Sequence, residues 1–188
     1  MTIEQMTEKL RSHLEEKRFN HSLLVMEEAV KLAEHYGADV QKARIAGLLH
    51  DCAKNYPKDE LYSLCDKFGV TLDETAKKEP GLLHAFVGAH LLKGEYGIDD
   101  EEIFDAVFYH TIGKCNMPLL TKIIFIADCI EPSRKAPWVN DVRSLVYSDI
   151  DKALITQIDN TIKSVLSKGT LLHTNTIDTR NYYIEKTR

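Results

Sequence analysis

The dipeptide His50-Asp51 closes the apolar stretch Ala43-Arg44-Ile45-Ala46-Gly47-Leu48-Leu49, and no other feature so narrows what this chain can fold into. The stretch reads as a buried helix. A carboxylate ionised beside an imidazole in that setting is costly unless a partner neutralises it, yet no Lys or Arg occurs between Ile45 and Cys52. A cation held by both side chains removes the cost.

Apolar residues recur at helical spacing along the whole chain, and hairpin signals between alternating residues are missing, so the expected fold is all-α. With 188 residues, 44% of them hydrophobic, one domain spanning 1–188 can enclose a sizeable core. Its metal-binding part is expected at about 18–134, with C-terminal helices over 140–188 packed on it. Asn20 is read as the cap of a helix to Tyr36 stopped by Gly37, and Asp39 as the cap of one reaching Cys52. Pro57 opens a helix ending near Gly69, a short one follows Thr71, and Pro80-Gly81 breaks the chain before a helix from Leu82 to Tyr96. Asp99 or Asp100 caps a helix to about Thr111, Ile112 to Pro118 form a loop, and Pro132 halts an intensely apolar helix from Leu119 to Ile130. From Ser148 or Asp149 a long amphipathic helix runs to Lys168, with Ile150, Leu154, Ile158, Ile162, Val165 and Leu166 facing inward.

On this framework His21, His50, Asp51, His84, His110 and Asp128 all fall on or beside apolar faces. His21 shares a stripe with Val25, Ala29, Leu32 and Tyr36, His84 with Val87, Gly88 and Leu91, and His110 with Ile103, Ala106 and Val107. Asp128, between Ile123-Ile124-Phe125-Ile126-Ala127 and Cys129-Ile130, is left no wet side. A lone inward His is usually a hydrogen-bonded core residue, and Asp128 alone could be half of an ion pair. It is their coincidence that points to a metal site. Six ligands exceed the needs of one ion, so a dinuclear site between helices is expected, with Asp51 as the bridge. Imidazole with carboxylate suits iron, manganese, cobalt or zinc better than Mg²⁺. His13 and His35 read as solvated and His173 as a loop residue. His90, six positions after His84 and about 120° around the helix, should miss the site.

The segments Arg18-Phe19-Asn20-His21-Ser22, His50-Asp51-Cys52-Ala53-Lys54, Leu82-Leu83-His84-Ala85-Phe86-Val87-Gly88-Ala89, His110-Thr111-Ile112-Gly113 and Ala127-Asp128-Cys129-Ile130-Glu131-Pro132-Ser133-Arg134 resemble the HD-domain phosphohydrolases. The likeness is strongest to their bacterial YqeK-type branch. It implies an all-helical HD-domain fold, a centre of two divalent ions with iron first among them, and symmetrical hydrolysis of diadenosine tetraphosphate to two ADP. Ile112 and Cys129 depart from the family pattern beside ligands, where they bear on substrate fit.

Lys54, three residues after Asp51, and Arg134, just past Pro132, are the expected phosphate-binding cations and, with Asp51, the catalytic set. Arg18 is a weaker candidate, Lys114 is weaker still, and Thr111 either bonds a phosphate or ends its helix. The resemblance implies a dinucleoside polyphosphate or purine nucleoside diphosphate as the substrate class. A net charge of −5 argues against a nucleic-acid polymer, and the absence of a leader or a long apolar run argues for a cytoplasmic protein away from membranes. The four cysteines lack paired spacing and are expected as thiols. Two other readings are a metal-dependent nucleotide sensor without turnover and an HD hydrolase for another nucleotide. Tyr56, Phe86, Tyr109 and Trp138 are candidate base-stacking residues, and Tyr182, Tyr183 and Ile184 are either core or a homodimer patch.

Overall fold

Ten of the twelve residues from Leu119 to Ile130 are buried, which makes this helix the axis around which the others pack. The computed structural model describes residues 1–188 and contains helices and turns with no strand. In chain order the helices are α1 (Ile3–His13), α2 (Glu16–Tyr36), α3 (Val40–Leu49), α4 (Lys58–Phe68), α5 (Leu83–Tyr96), α6 (Glu101–Tyr109), α7 (Leu119–Ile130), α8 (Val139–Leu145), α9 (Ile150–Lys168) and α10 (Thr174–Lys186). The axial helix α7 touches α2, α3, α6, α8 and α9. One large apolar cluster surrounds it, and a smaller one joins α4 to α5. No helix is long and apolar enough to cross a membrane.

Several boundaries differ from the sequence expectation. Helix α2 starts at Glu16, so Asn20 lies inside it rather than at its cap. Leu14 and Phe19 are both buried at the positions before and after the cap that form a hydrophobic staple, and this burial sets the start one turn earlier. The short helix after Thr71 is absent. There the Asp73 carboxylate caps one turn, accepting the amides of Thr75 and Ala76 at 2.9 and 2.8 Å, and the turn goes no further because Glu79 precedes Pro80 and is forced out of the helical region. Pro80-Gly81 does not break the chain either, because Pro80–Leu82 form a 3-10 turn that runs straight into α5. Leu166 is 65% exposed, since α9 outlasts the core it packs on; Leu154 and Ile158 are its buried apolar contacts and Ile150, Ile162 and Val165 are half-buried. Helices α3 and α6 stop at Leu49 and Tyr109, so His50, Asp51 and His110 occupy the turns just beyond.

Two close contacts fix those turns. α3 crosses α2 at Gly47, where an added Cβ would lie 2.8 Å from the Met26 Cα. The loop after His110 is held by α10: Thr176 Oγ1 donates to the Ile112 carbonyl at 3.2 Å and the Met117 amide donates to Tyr183 Oη at 2.9 Å. Tyr183 is buried and Tyr182 half-buried, which assigns this pair to the core. The α2–α3 crossing is directly testable. Overpacking costs about 1–3 kcal/mol, more than the gain of up to about 1 kcal/mol from Ala in a helix, so Gly47→Ala is expected to lower the urea midpoint; an unchanged or raised midpoint would show that the crossing has room to give.

Candidate metal centre

Each of the four imidazoles has its Nδ1 occupied by a neighbour. His50 Nδ1 lies 2.8 Å from the Gly47 carbonyl, His84 Nδ1 2.7 Å from that of Gly81, and His110 Nδ1 2.7 Å from that of Val107. His21 Nδ1 lies 3.1 Å from Glu131 Oε1. All four partners are acceptors, so each Nδ1 carries the proton and each Nε2 presents a lone pair.

Those lone pairs converge on one carboxylate. His84 and His110 Nε2 stand 3.0 and 3.6 Å from Asp51 Oδ1, whereas His50 and His21 Nε2 stand 3.5 and 4.0 Å from Asp51 Oδ2. Asp51 thus turns one oxygen to each pair of imidazoles. His21 Nε2 also lies 2.9 Å, and His50 Nε2 3.9 Å, from Asp128 Oδ1. His84 and His110 Nε2 approach to 3.3 Å. Acceptor set against acceptor at these distances is repulsive without positive charge between them. The residues pass the test for a bound cation on a second count, since His50 Nε2 and Asp51 Oδ1 are buried polar atoms with no hydrogen-bond partner, an unfavourable state that coordination relieves.

The structure therefore brings all six predicted ligands together and leaves the other histidines elsewhere. His90 stacks on Phe68 with ring centroids 5.4 Å apart, His13 and His35 are exposed, and His173 caps α10 and pairs with Asp73 at 2.8 Å. Asp128 departs from expectation, because its side chain is 26% exposed and faces the site mouth rather than a sealed core. The partner for Asp51 is also visible: Arg18, from α2, places Nη1 2.7 Å from Oδ2. Arg134 Nη2 lies 2.6 Å from Asp128 Oδ1, and Lys54 Nζ 3.1 Å from His84 Nε2. Lys114 is instead paired with Asp105. Thr111, next to His110 in the chain, has its Oγ1 buried and unpartnered.

Glu131 had no assigned role in the sequence, yet it is fully buried, holds His21 and accepts the Ser133 amide at 2.6 Å. The available signal was an acid placed directly after an apolar helix and before Pro132. Cavities lie at the ligands and near them. One of about 180 Å³ is lined by Lys17, Arg18, His21 and Arg134 among polar groups only. A groove of about 160 Å³ runs between Leu82, Thr111 and Leu171, and a cavity of about 520 Å³ includes Asp128, Arg134 and Trp138.

Comparison with known proteins places this constellation. The family model of the HD domain matches residues 18–133. The chain belongs to the HD domain family. Among relatives, a symmetrical bis(5′-nucleosyl)-tetraphosphatase of Bacillus subtilis strain 168 is 40% identical over 93% of this chain and 94% of its own length. One from Staphylococcus aureus strain NCTC 8325 is 38% identical over 97% and 95%. The crystal structure of a predicted HD superfamily hydrolase involved in NAD metabolism from Clostridium acetobutylicum superposes with a TM-score of 0.96 at 46% identity, covering 99% of this chain and 98% of that one. HD domain and His/Asp cluster together point to divalent-metal binding.

The electrostatics agree with that use. Burial pushes His84 down to about 4, which the neighbouring Asp51 only partly offsets, so the ring is neutral and able to ligate at neutral pH. The His84 shift predicts an acid-sensitive fold. An unfolded chain protonates this ring below about pH 6.5 and the folded one near 4, so unfolding takes up a proton between those limits. The stability from a neutral His84 is complete above the upper limit and lost as pH falls toward the lower. In metal-free protein the urea midpoint is expected to fall more between pH 7 and pH 5 for the native chain than for His84→Gln; equal losses would remove His84 as the source.

Proposed function

We propose that this protein is a metal-dependent hydrolase that cleaves diadenosine tetraphosphate symmetrically, water attacking the central phosphoanhydride so that both products are ADP. The convergence of bare Nε2 atoms on the two oxygens of Asp51 carries the metal-dependent part of this reading. The relatives named as symmetrical bis(5′-nucleosyl)-tetraphosphatases support the substrate.

Two divalent ions, iron first and manganese, cobalt or zinc as alternatives, suit this donor set. His21, His50 and Asp128 would hold one and His84 and His110 the other, with Asp51 shared. When bound, such ions supply Lewis acidity toward an attacking water and toward a phosphoryl oxygen. The chain's own residues do the rest. Lys54, Arg18 and Arg134 ring the mouth and would receive the phosphate oxygens, the two guanidiniums in bidentate fashion. Arg134 is aimed by its Nε, which donates to the Asp128 carbonyl at 2.9 Å. Lys54 is partly desolvated, which lowers its proton affinity while strengthening its attraction for an incoming anion. Thr111 borders the groove at Leu82 and Leu171, which would take one nucleotide half, while its hydroxyl is buried beneath that surface. Glu131 acts through His21, keeping the ring in the tautomer that offers Nε2.

The test is purified protein supplied with iron or cobalt and offered diadenosine tetraphosphate, other dinucleoside polyphosphates, GDP and AMP. ADP as the only product of the first is expected; nucleotide binding without hydrolysis under every metal would leave a sensor instead. Asp51→Ala is expected to abolish turnover and metal loading, Lys54→Ala to lose turnover but keep its metal, and His90→Ala to remain near normal. Retention of both ions in Asp51→Ala, measured by elemental analysis, would refute the shared-carboxylate assignment.

A further inference from the structure

Symmetrical cleavage requires a substrate with a nucleoside at each end, so a second base needs a seat of its own within reach of the ligand cluster. The polar cavity at His21 has no hydrophobic lining and suits phosphate rather than a base. The groove at Thr111 offers one seat. The cavity of about 520 Å³, bordered by Asp128, adjoins that groove, with Thr161 of α9 lining both.

Among the four aromatic candidates, this cavity selects one. Phe86 is 4% exposed and stacked on Phe108 with centroids 4.7 Å apart, while Tyr56 and Tyr109 pack against the smaller core cluster. Trp138 is half-buried against the large cluster and lines the cavity. Cations stand beside it. Arg134 is matched by Asp128, but Lys17 and Lys135 pair with no carboxylate, and both are exposed and line the same cavity. Lys17 and Arg134 also line the polar cavity at His21, beside Glu15 and Glu131, so these two cationic side chains span the distance from the cluster to the indole.

We infer that the cavity formed by Lys17, Asp128, Arg134, Lys135, Trp138 and Thr161 seats the second nucleoside of a dinucleoside polyphosphate, the base stacked on Trp138 and the adjoining phosphates on Lys17 and Lys135. The inference rests on the hydrolase reading for its substrate class. Its test need not involve turnover, because Trp138 is the chain's single tryptophan and its emission reports on this cavity alone. A methylene-bridged, non-hydrolysable diadenosine tetraphosphate is expected to quench that emission saturably, whereas inorganic tripolyphosphate, which has no base, is not. Base stacking is worth about 1–3 kcal/mol, so Trp138→Ala should raise KM for diadenosine tetraphosphate about tenfold, with Trp138→Phe restoring most of the loss. Binding of the analogue by calorimetry without any change in emission, equal quenching by tripolyphosphate, or an unchanged KM in Trp138→Ala would each overturn the assignment. Should the alanine variant fail to fold, the fluorescence titration of the native chain still decides. Failure of the native protein to release ADP would sink the hydrolase reading but leave the quenching result to stand or fall separately.

Discussion

Four imidazole nitrogens with their lone pairs turned toward one buried carboxylate cannot coexist unless positive charge stands among them. The rest of the structure arranges this meeting. His50, Asp51 and His110 lie in turns just past the ends of α3 and α6, His84 in the first turn of α5, and His21 and Asp128 near the site ends of α2 and α7. Helix ends make suitable mounts because their last carbonyls have no intrahelical amide. The Gly47 and Val107 carbonyls hold the His50 and His110 rings from within the final turns of α3 and α6. The arrangement that fixes each tautomer is thus built from backbone, with Glu131 as the one side chain recruited for the purpose.

This division explains what could be read from the sequence. Helical spacing alone put His21, His84 and His110 on core faces, because an amphipathic stripe repeats every three or four residues and records which side is buried. Asp128 was legible as an anomaly but misjudged in setting; periodicity says nothing about where a helix emerges from the core, and the mouth of the site opens beside it. Glu131 was invisible as a partner because its contact with His21 joins positions 110 residues apart. The same holds for Arg18, whose bond to Asp51 settles a charge that looked unpaired within its own segment. Boundary errors were local contests: the Leu14–Phe19 staple displaced Asn20 as a cap, and Pro80 confined the segment after Thr71 to a single turn.

The mouth is electrostatically graded. Acidic and imidazole groups fill its floor, and Arg18, Lys54, Arg134 and Lys17 ring the opening. A chain with net charge −5 therefore concentrates cations at one concavity, whose local field opposes that of the molecule as a whole. Net charge read from bulk composition therefore says nothing against a small anion at that concavity.

Helix α10 contributes no ligand, yet through Thr176, Thr179 and Tyr183 it clamps the loop that follows His110, with Gly113 at φ +71° and no room for a Cβ beside Thr179. The position of His110 is thereby tied to a helix that carries no ligand, so a substitution that loosens α10 reaches the metal centre along the chain, without touching any group that would hold an ion.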